Sequence, residues 1–178
     1  MSNNNDIADN AIRQHALFNV LGKIARADEH LAAFKDIVEN EIRSEMLIGH
    51  RFDADADEHI LYLASDPDKA FLSLRKSSLV LGDLINNLRS ALDHLLYALA
   101  FYEQKGRIQN PNSIQFPICD SETRWEDEKN LKKISQISPQ NQEKIRILQP
   151  YVQGPAKIGE FTFNRHLLSL LRDISNSD

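Results

Sequence analysis

The sequence predicts a mainly α-helical protein: one helical bundle with two long antiparallel helices, shorter C-terminal helices and a small β-hairpin insertion. Three observations carry that expectation. Apolar residues recur at intervals of three and four through residues 7–38 and again through 69–103. Between residues 45 and 65 the period shortens toward two. After residue 105, Gly106, Pro111 and Pro117 break the helical pattern, and the rest of the chain reads as short segments.

In chain order, the first helix carries Leu17, Leu21, Ile24, Leu31, Phe34 and Val38 as its apolar stripe, with Asp28 the exception and Gly22 its one interior breaker. The hairpin insertion covers about 45–65, with strands near 45–53 and 58–64. In a regular strand Ile60 and Leu61 must face opposite sides. Asp66-Pro67-Asp68 opens the second long helix, because proline suits the first helical position. Ser121 caps a shorter helix reaching about Ile134. Ser138-Pro139 opens another that ends before Pro150, and residues 149–155 form a turn. A last helix places Phe163, Leu167, Leu170, Leu171 and Ile174 on one face. No repeat and no linker divides the 178 residues, so a single domain over 1–178 is expected.

Composition excludes several function classes. With 42% hydrophobic and 26% charged residues the chain has the balance of a globular protein. No apolar run is long enough to span a membrane, and the first ten residues lack the basic start and apolar core of a secretion signal. The expected location is the cytoplasm. The single cysteine, Cys119, rules out an internal disulfide framework. Residues 1–65 hold 6 Lys+Arg against 12 Asp+Glu, and the whole chain has a net charge of −5. Duplex DNA is therefore not an expected partner, since bulk phosphate neutralisation needs many cations. RNA remains open through a small local site.

The second long helix carries the functional information. At 100° per residue, Leu81, Leu84, Ile85, Leu88, Ala91, Leu92, Leu95, Leu96 and Leu99 share one arc, which reads as core. The opposite arc holds Gly82, Asp83, Asn86, Asn87, Arg89, Ser90, Asp93, His94 and Tyr97. Between Val80 and Ala100 there is no Lys, Glu or Gln. A solvated helix face ordinarily uses those residues, because they form helix well and tolerate exposure. Short or planar polar groups in their place point to a covered face, screened by another part of the chain or by a second copy. Asn86, Arg89, Asp93 and Tyr97 line up as its central stripe, with Arg89 and Asp93 as an i,i+4 ion pair.

The segment Arg89-Ser90-Ala91-Leu92-Asp93-His94 resembles the HEPN superfamily (higher eukaryotes and prokaryotes nucleotide-binding), whose ribonucleases carry Arg and His with four to six residues between them on a bundle helix. The chain also resembles a group of bacterial proteins sharing Leu81-Gly82-Asp83, Asn87 through His94, Arg26-Ala27 with His30-Leu31, Phe116-Pro117-Ile118 and Gln149-Pro150-Tyr151. The HEPN resemblance implies metal-independent RNA cleavage by attack of the 2′-hydroxyl on the neighbouring phosphate. It places His94 as proton acceptor and Arg89 as the cation on the phosphoryl oxygens. Asn86, Ser90, Asp93 and Tyr97 are the auxiliary positions. It also implies a homodimer through this central helix, because Arg89 and His94 lie about 140° apart on one helix. The same resemblance admits a degenerate relative that binds RNA or a partner without cleavage; the alternative is a non-catalytic helical interaction module whose polar face is an assembly surface.

Other constellations are weaker. Asp53, Asp55 and Asp57, followed by Glu58 and His59, begin like a calcium loop but lack the glycine and terminal glutamate, and read as a solvated hairpin tip. His15, His30, His94 and His166, with Asp93 and Asp173, lack metal-ligand spacing. Lys129, Lys132, Lys133, Lys144 and Arg146 read as a solvated basic face. Trp125 and Phe116 read as local core. No phosphate-binding glycine loop occurs. Neither a metal nor a cofactor is expected.

Overall fold

The computed structural model describes residues 4–43, 47–53, 56–64, 66–158, 161–162 and 164–176. The protein is mainly α-helical, with two long helices and a small antiparallel ribbon. Helix α1 spans Asn4–Asp36 and continues as a π-helix over Ile37–Ile42, beyond the expected end at Val38. Helix α2 spans Pro67–Glu103. Asp66 Oδ1 caps its start by accepting from the backbone N–H of Asp68 at 3.1 Å and of Lys69 at 3.4 Å. Its end is closed by Gly106, whose φ of +80° lets its N–H return to the Phe101 carbonyl at 2.8 Å.

The chain forms two compact units: Arg26–Leu84, and Met1–Ala25 together with Ile85–Asp178. In the first, strands β1 (Leu47–Asp53) and β2 (Glu58–Ala64) pair antiparallel, with Arg51 opposite Ile60 and Phe52 opposite His59. Ile60 is half-buried while Leu61 is 72% exposed, as strand alternation requires. At the tip, Asp53 accepts from the Ala56 N–H at 3.3 Å, and Asp57 takes a φ of +53°, which aspartate tolerates. Asp55 lies outside the described residues. In the same unit the Glu41 carboxylate accepts from Lys76 Nζ at 3.1 and 3.3 Å and from the buried Ser73 hydroxyl at 3.1 Å. These contacts, Lys76 foremost, hold the Glu41 carboxyl below its ordinary range. The end of the first helical run thus meets the beginning of the second, as antiparallel packing demands.

The second unit is built around Leu96 and Ala100 of α2. Ile114, Phe116, Ile118 and Cys119 pack on them from an extended segment, joined by Trp125, Ile134, Ile137 and Ile145. The helix expected from Ser121 to Ile134 is two helices, α3 (Glu122–Trp125) and α4 (Glu128–Lys133). Ser121 caps the first as expected. Asp127 then leaves the helical region with ψ 131° and caps the Lys129 N–H at 2.8 Å, because aspartate is a better cap than interior residue. Helix α5 (Pro139–Ile147) follows Ser138. The Glu103 carboxylate reaches it from the end of α2, accepting from the Ser138 N–H and hydroxyl and from the Asn141 amide. Residues 149–155, expected as a turn, contain one helical turn, α6 (Pro150–Gln153). A two-residue pairing of β3 (Lys157–Ile158) with β4 (Phe161–Thr162) precedes α7 (Leu167–Ser175). Phe163 lies outside the described residues.

One correction concerns α1. The large residues of its stripe were expected inside, yet Leu17, Leu21 and Ile24 are 44%, 64% and 41% exposed. Val20 is buried instead, and in the other unit Ala27 and Ile37 are buried while Leu31 is 37% exposed. Periodicity identifies an apolar stripe but not which edge of it is covered.

Candidate functional site

The extended segment 114–119 runs through the core, so its backbone polar groups need partners that no strand among the described residues supplies. Side chains provide them. Asp93 Oδ1 accepts from the Phe116 N–H at 2.8 Å, and Arg89 Nη2 donates to the Phe116 carbonyl at 2.8 Å. The two side chains face each other at 3.3 Å, as the i,i+4 spacing on α2 dictates. Together they grip both polar groups of one buried residue, much as a paired strand would. Pro117 carries no N–H and makes no demand. Gln149, wholly buried, accepts from the Cys119 N–H at 2.8 Å and donates to the Ile145 carbonyl at 3.0 Å. Burial also pushes the Cys119 thiol up from its ordinary range, away from a nucleophile's.

Arg172 of α7 extends this support. It donates to the Ile118 carbonyl at 3.4 Å and pairs with Asp120 and Asp173, both at 2.6 Å. Burial raises the Asp120 carboxyl, but the Ser169 hydroxyl and Arg172 outweigh it and hold the group below its usual range. Hydrogen bonding to Arg172 holds Asp173 low as well. Carboxyls depressed in the folded state contribute stability that is present above the ordinary range of about pH 4 and lost as pH falls through the folded values. Urea midpoints measured from pH 6 to pH 2 should therefore fall on the acid side, and Arg172→Ala should flatten that fall.

The expected site residues separate under this geometry. Arg89 and Asp93 are half-buried against segment 114–119 of the chain itself. Asn86 and Tyr97, expected under the same cover, are exposed; the Tyr97 ring lies nearly parallel to Phe101 with centroids 6.3 Å apart. The covering segment is a single extended strand of chain crossing α2, too narrow to shield three helical turns. Ser90 and His94 are half-buried. His94 makes no hydrogen bond or ion pair among the described residues. Arg89 Nη1 is buried with no hydrogen-bond partner.

The apolar arc of α2 is not sealed either. Ile85, Ala91 and Leu96 are buried as expected, but Leu88 and Leu95 are 38% and 43% exposed. They line a groove of about 350 Å³ with Val20 and Ile24 of α1 and Leu167, Leu168 and Leu171 of α7. The reading of α7 as one apolar face anticipates Leu167 and Leu171; Leu168 and Val20 carry no sequence signal that separates them from core. Gln149 stands in the sequence only as part of the resembling Gln149-Pro150-Tyr151 stretch, with nothing local to signal its role. No described helix is long and apolar enough to cross a membrane. Comparison with known protein families, with curated proteins and with solved structures returns no match for this chain.

Proposed function

We propose that the protein is a non-catalytic helical assembly module, and that the groove between α1, α2 and α7 receives a second copy of the chain. The observation that carries this reading is the outward leucine surface. Ile24, Leu88, Leu95 and Leu167 line one groove and are each more than a third exposed, and Leu17 and Leu21, seven and three residues before Ile24 on the same face of α1, are exposed beside it. Their outward surface is on the order of 600 Å² per copy, most of the ~800 Å² that each partner contributes to a standard interface. A monomer gains nothing from leaving that patch wet. A two-fold pairing would cover the same patch on both copies and would run through the central helix. Analytical ultracentrifugation of the purified chain at micromolar concentration should show a dimer. Leu88→Glu with Leu95→Glu should give a folded monomer, because both side chains are already partly exposed. A monomeric wild type, or a dimer indifferent to these charges, would refute the reading.

The resemblance to HEPN ribonucleases supplies a second reading, with His94 as base and Arg89 as phosphate cation. Its support is the partnerless Arg89 Nη1 and the unengaged His94 imidazole. Against it stands the commitment of Arg89 Nη2 to the Phe116 carbonyl, which a phosphate would have to displace. RNA cleavage assayed with chelator present, for the protein and for His94→Ala, distinguishes the two. Cleavage lost in the variant supports the nuclease; no cleavage by either supports the module.

A further inference from the structure

The ribbon β1–β2 carries a pair of histidines that neither reading uses. His50 stands opposite Leu61 and His59 opposite Phe52, so the two are diagonal neighbours on one face of the ladder. Their Nε2 and Nδ1 atoms are 2.8 Å apart. The ring planes are 20° apart and the centroids 5.0 Å apart, a separation that exceeds the nitrogen gap by about two ring radii. The imidazoles therefore meet edge to edge, one ring nitrogen donating its N–H to the lone pair of the other. Phe52 rests against His59 with centroids 5.0 Å apart and bounds that side of the ring. Both histidines are exposed, so a cation and its waters reach the spot from solvent.

From this convergence of His50 and His59 we infer a solvent-open two-histidine site for a borderline divalent transition metal, with Cu(II) the tightest ligand. Metal–nitrogen bonds of about 2.0–2.1 Å at a right angle place two cis nitrogens about 2.9 Å apart. The gap on the ribbon already has that size; binding requires that the donor ring change tautomer, its hydrogen moving through water to its other nitrogen, and that both rings turn so the two freed lone pairs point at one ion. Neutral imidazole selects copper, nickel and zinc over magnesium and calcium, which prefer oxygen, and the Irving–Williams order puts Cu(II) first. No third His, Cys, Asp or Glu completes a cluster among the described residues. Water then fills the remaining positions, and the ion exchanges freely instead of supporting the fold.

The test is a titration of the full chain with Cu(II), and separately with Mg²⁺, followed by calorimetry and by electron paramagnetic resonance. The expected result is one Cu(II) per chain with hyperfine splitting from two imidazole nitrogens, and no heat from Mg²⁺. His50→Ala and His59→Ala should each weaken binding about a hundredfold, since each turns a two-armed hold into a single contact. Both side chains are exposed, so circular dichroism should be unchanged. Equal Cu(II) affinity in the double variant would overturn the site, as would a spectrum from a single nitrogen or the absence of binding. None of these outcomes depends on whether the chain dimerises.

Discussion

Asp93→Ala is expected to destabilise the protein by about 3 kcal/mol, among the larger effects available to a single polar substitution. Two losses combine. The Phe116 N–H, on a residue only 4% exposed, loses its acceptor, and Arg89 loses its anion. An unsatisfied buried donor costs about 1–3 kcal/mol, and an uncompensated cation adds to it. Asp93→Asn should cost less, because its Oδ1 still accepts from Phe116. Arg89→Ala removes the donor to the Phe116 carbonyl but leaves Asp93 engaged, so about 2 kcal/mol is expected. The double variant should be less damaging than the two costs added, since both act on one residue's backbone. Urea denaturation of the four proteins measures this cycle. Additive effects below about 0.5 kcal/mol would show the pair to be ordinary solvated surface.

Gln149→Leu should have an effect of similar size by a different route. The substitution matches the side chain in bulk and adds apolar surface, so a packing argument alone predicts little change. Hydrogen bonding predicts otherwise. The Cys119 N–H and the Ile145 carbonyl both lose their partner at a position with no solvent access. A cost of about 3 kcal/mol is expected, seen as a lower urea midpoint with unchanged slope. Gln149→Glu should be worse near neutral pH, because it keeps the acceptor, loses the donor and buries a charge. Wild-type stability in Gln149→Leu would mean that segment 114–119 finds its partners elsewhere.

Three separated stretches of the sequence thus serve one purpose. Arg89 and Asp93, Phe116-Pro117-Ile118 and Gln149-Pro150 are one device, an extended buried strand of chain held by side chains. The absence of Lys, Glu and Gln from the polar arc of α2 suggests a covered face, and the structure half-buries Arg89, Ser90, Asp93 and His94 while leaving Asp83, Asn86 and Tyr97 exposed. That absence does not say how wide the cover is. Asn86 and Tyr97 lie beyond the edge of a segment whose path nothing on the helical wheel encodes.

The element order was legible because its causes are local. Periods of 3.6 and 2, a proline after Asp66, a serine before Glu122 and a glycine after α2 act within a few residues of where they stand. The break at Asp127 was local too, and a capping residue inside a helical pattern was its signal. What only the tertiary structure decided is which side of each element faces what. Leu17, Leu21, Leu88 and Leu95 are as apolar as any core residue, and their exposure depends on neighbours remote in sequence. The His50–His59 contact depends on the pairing register of two strands, which would bring together side chains of opposite faces if shifted by one residue. Sequence determines propensity and pattern along the chain. Burial, hydrogen-bond partners and metal-binding geometry are properties of pairs, and they exist only once packing has chosen the partners.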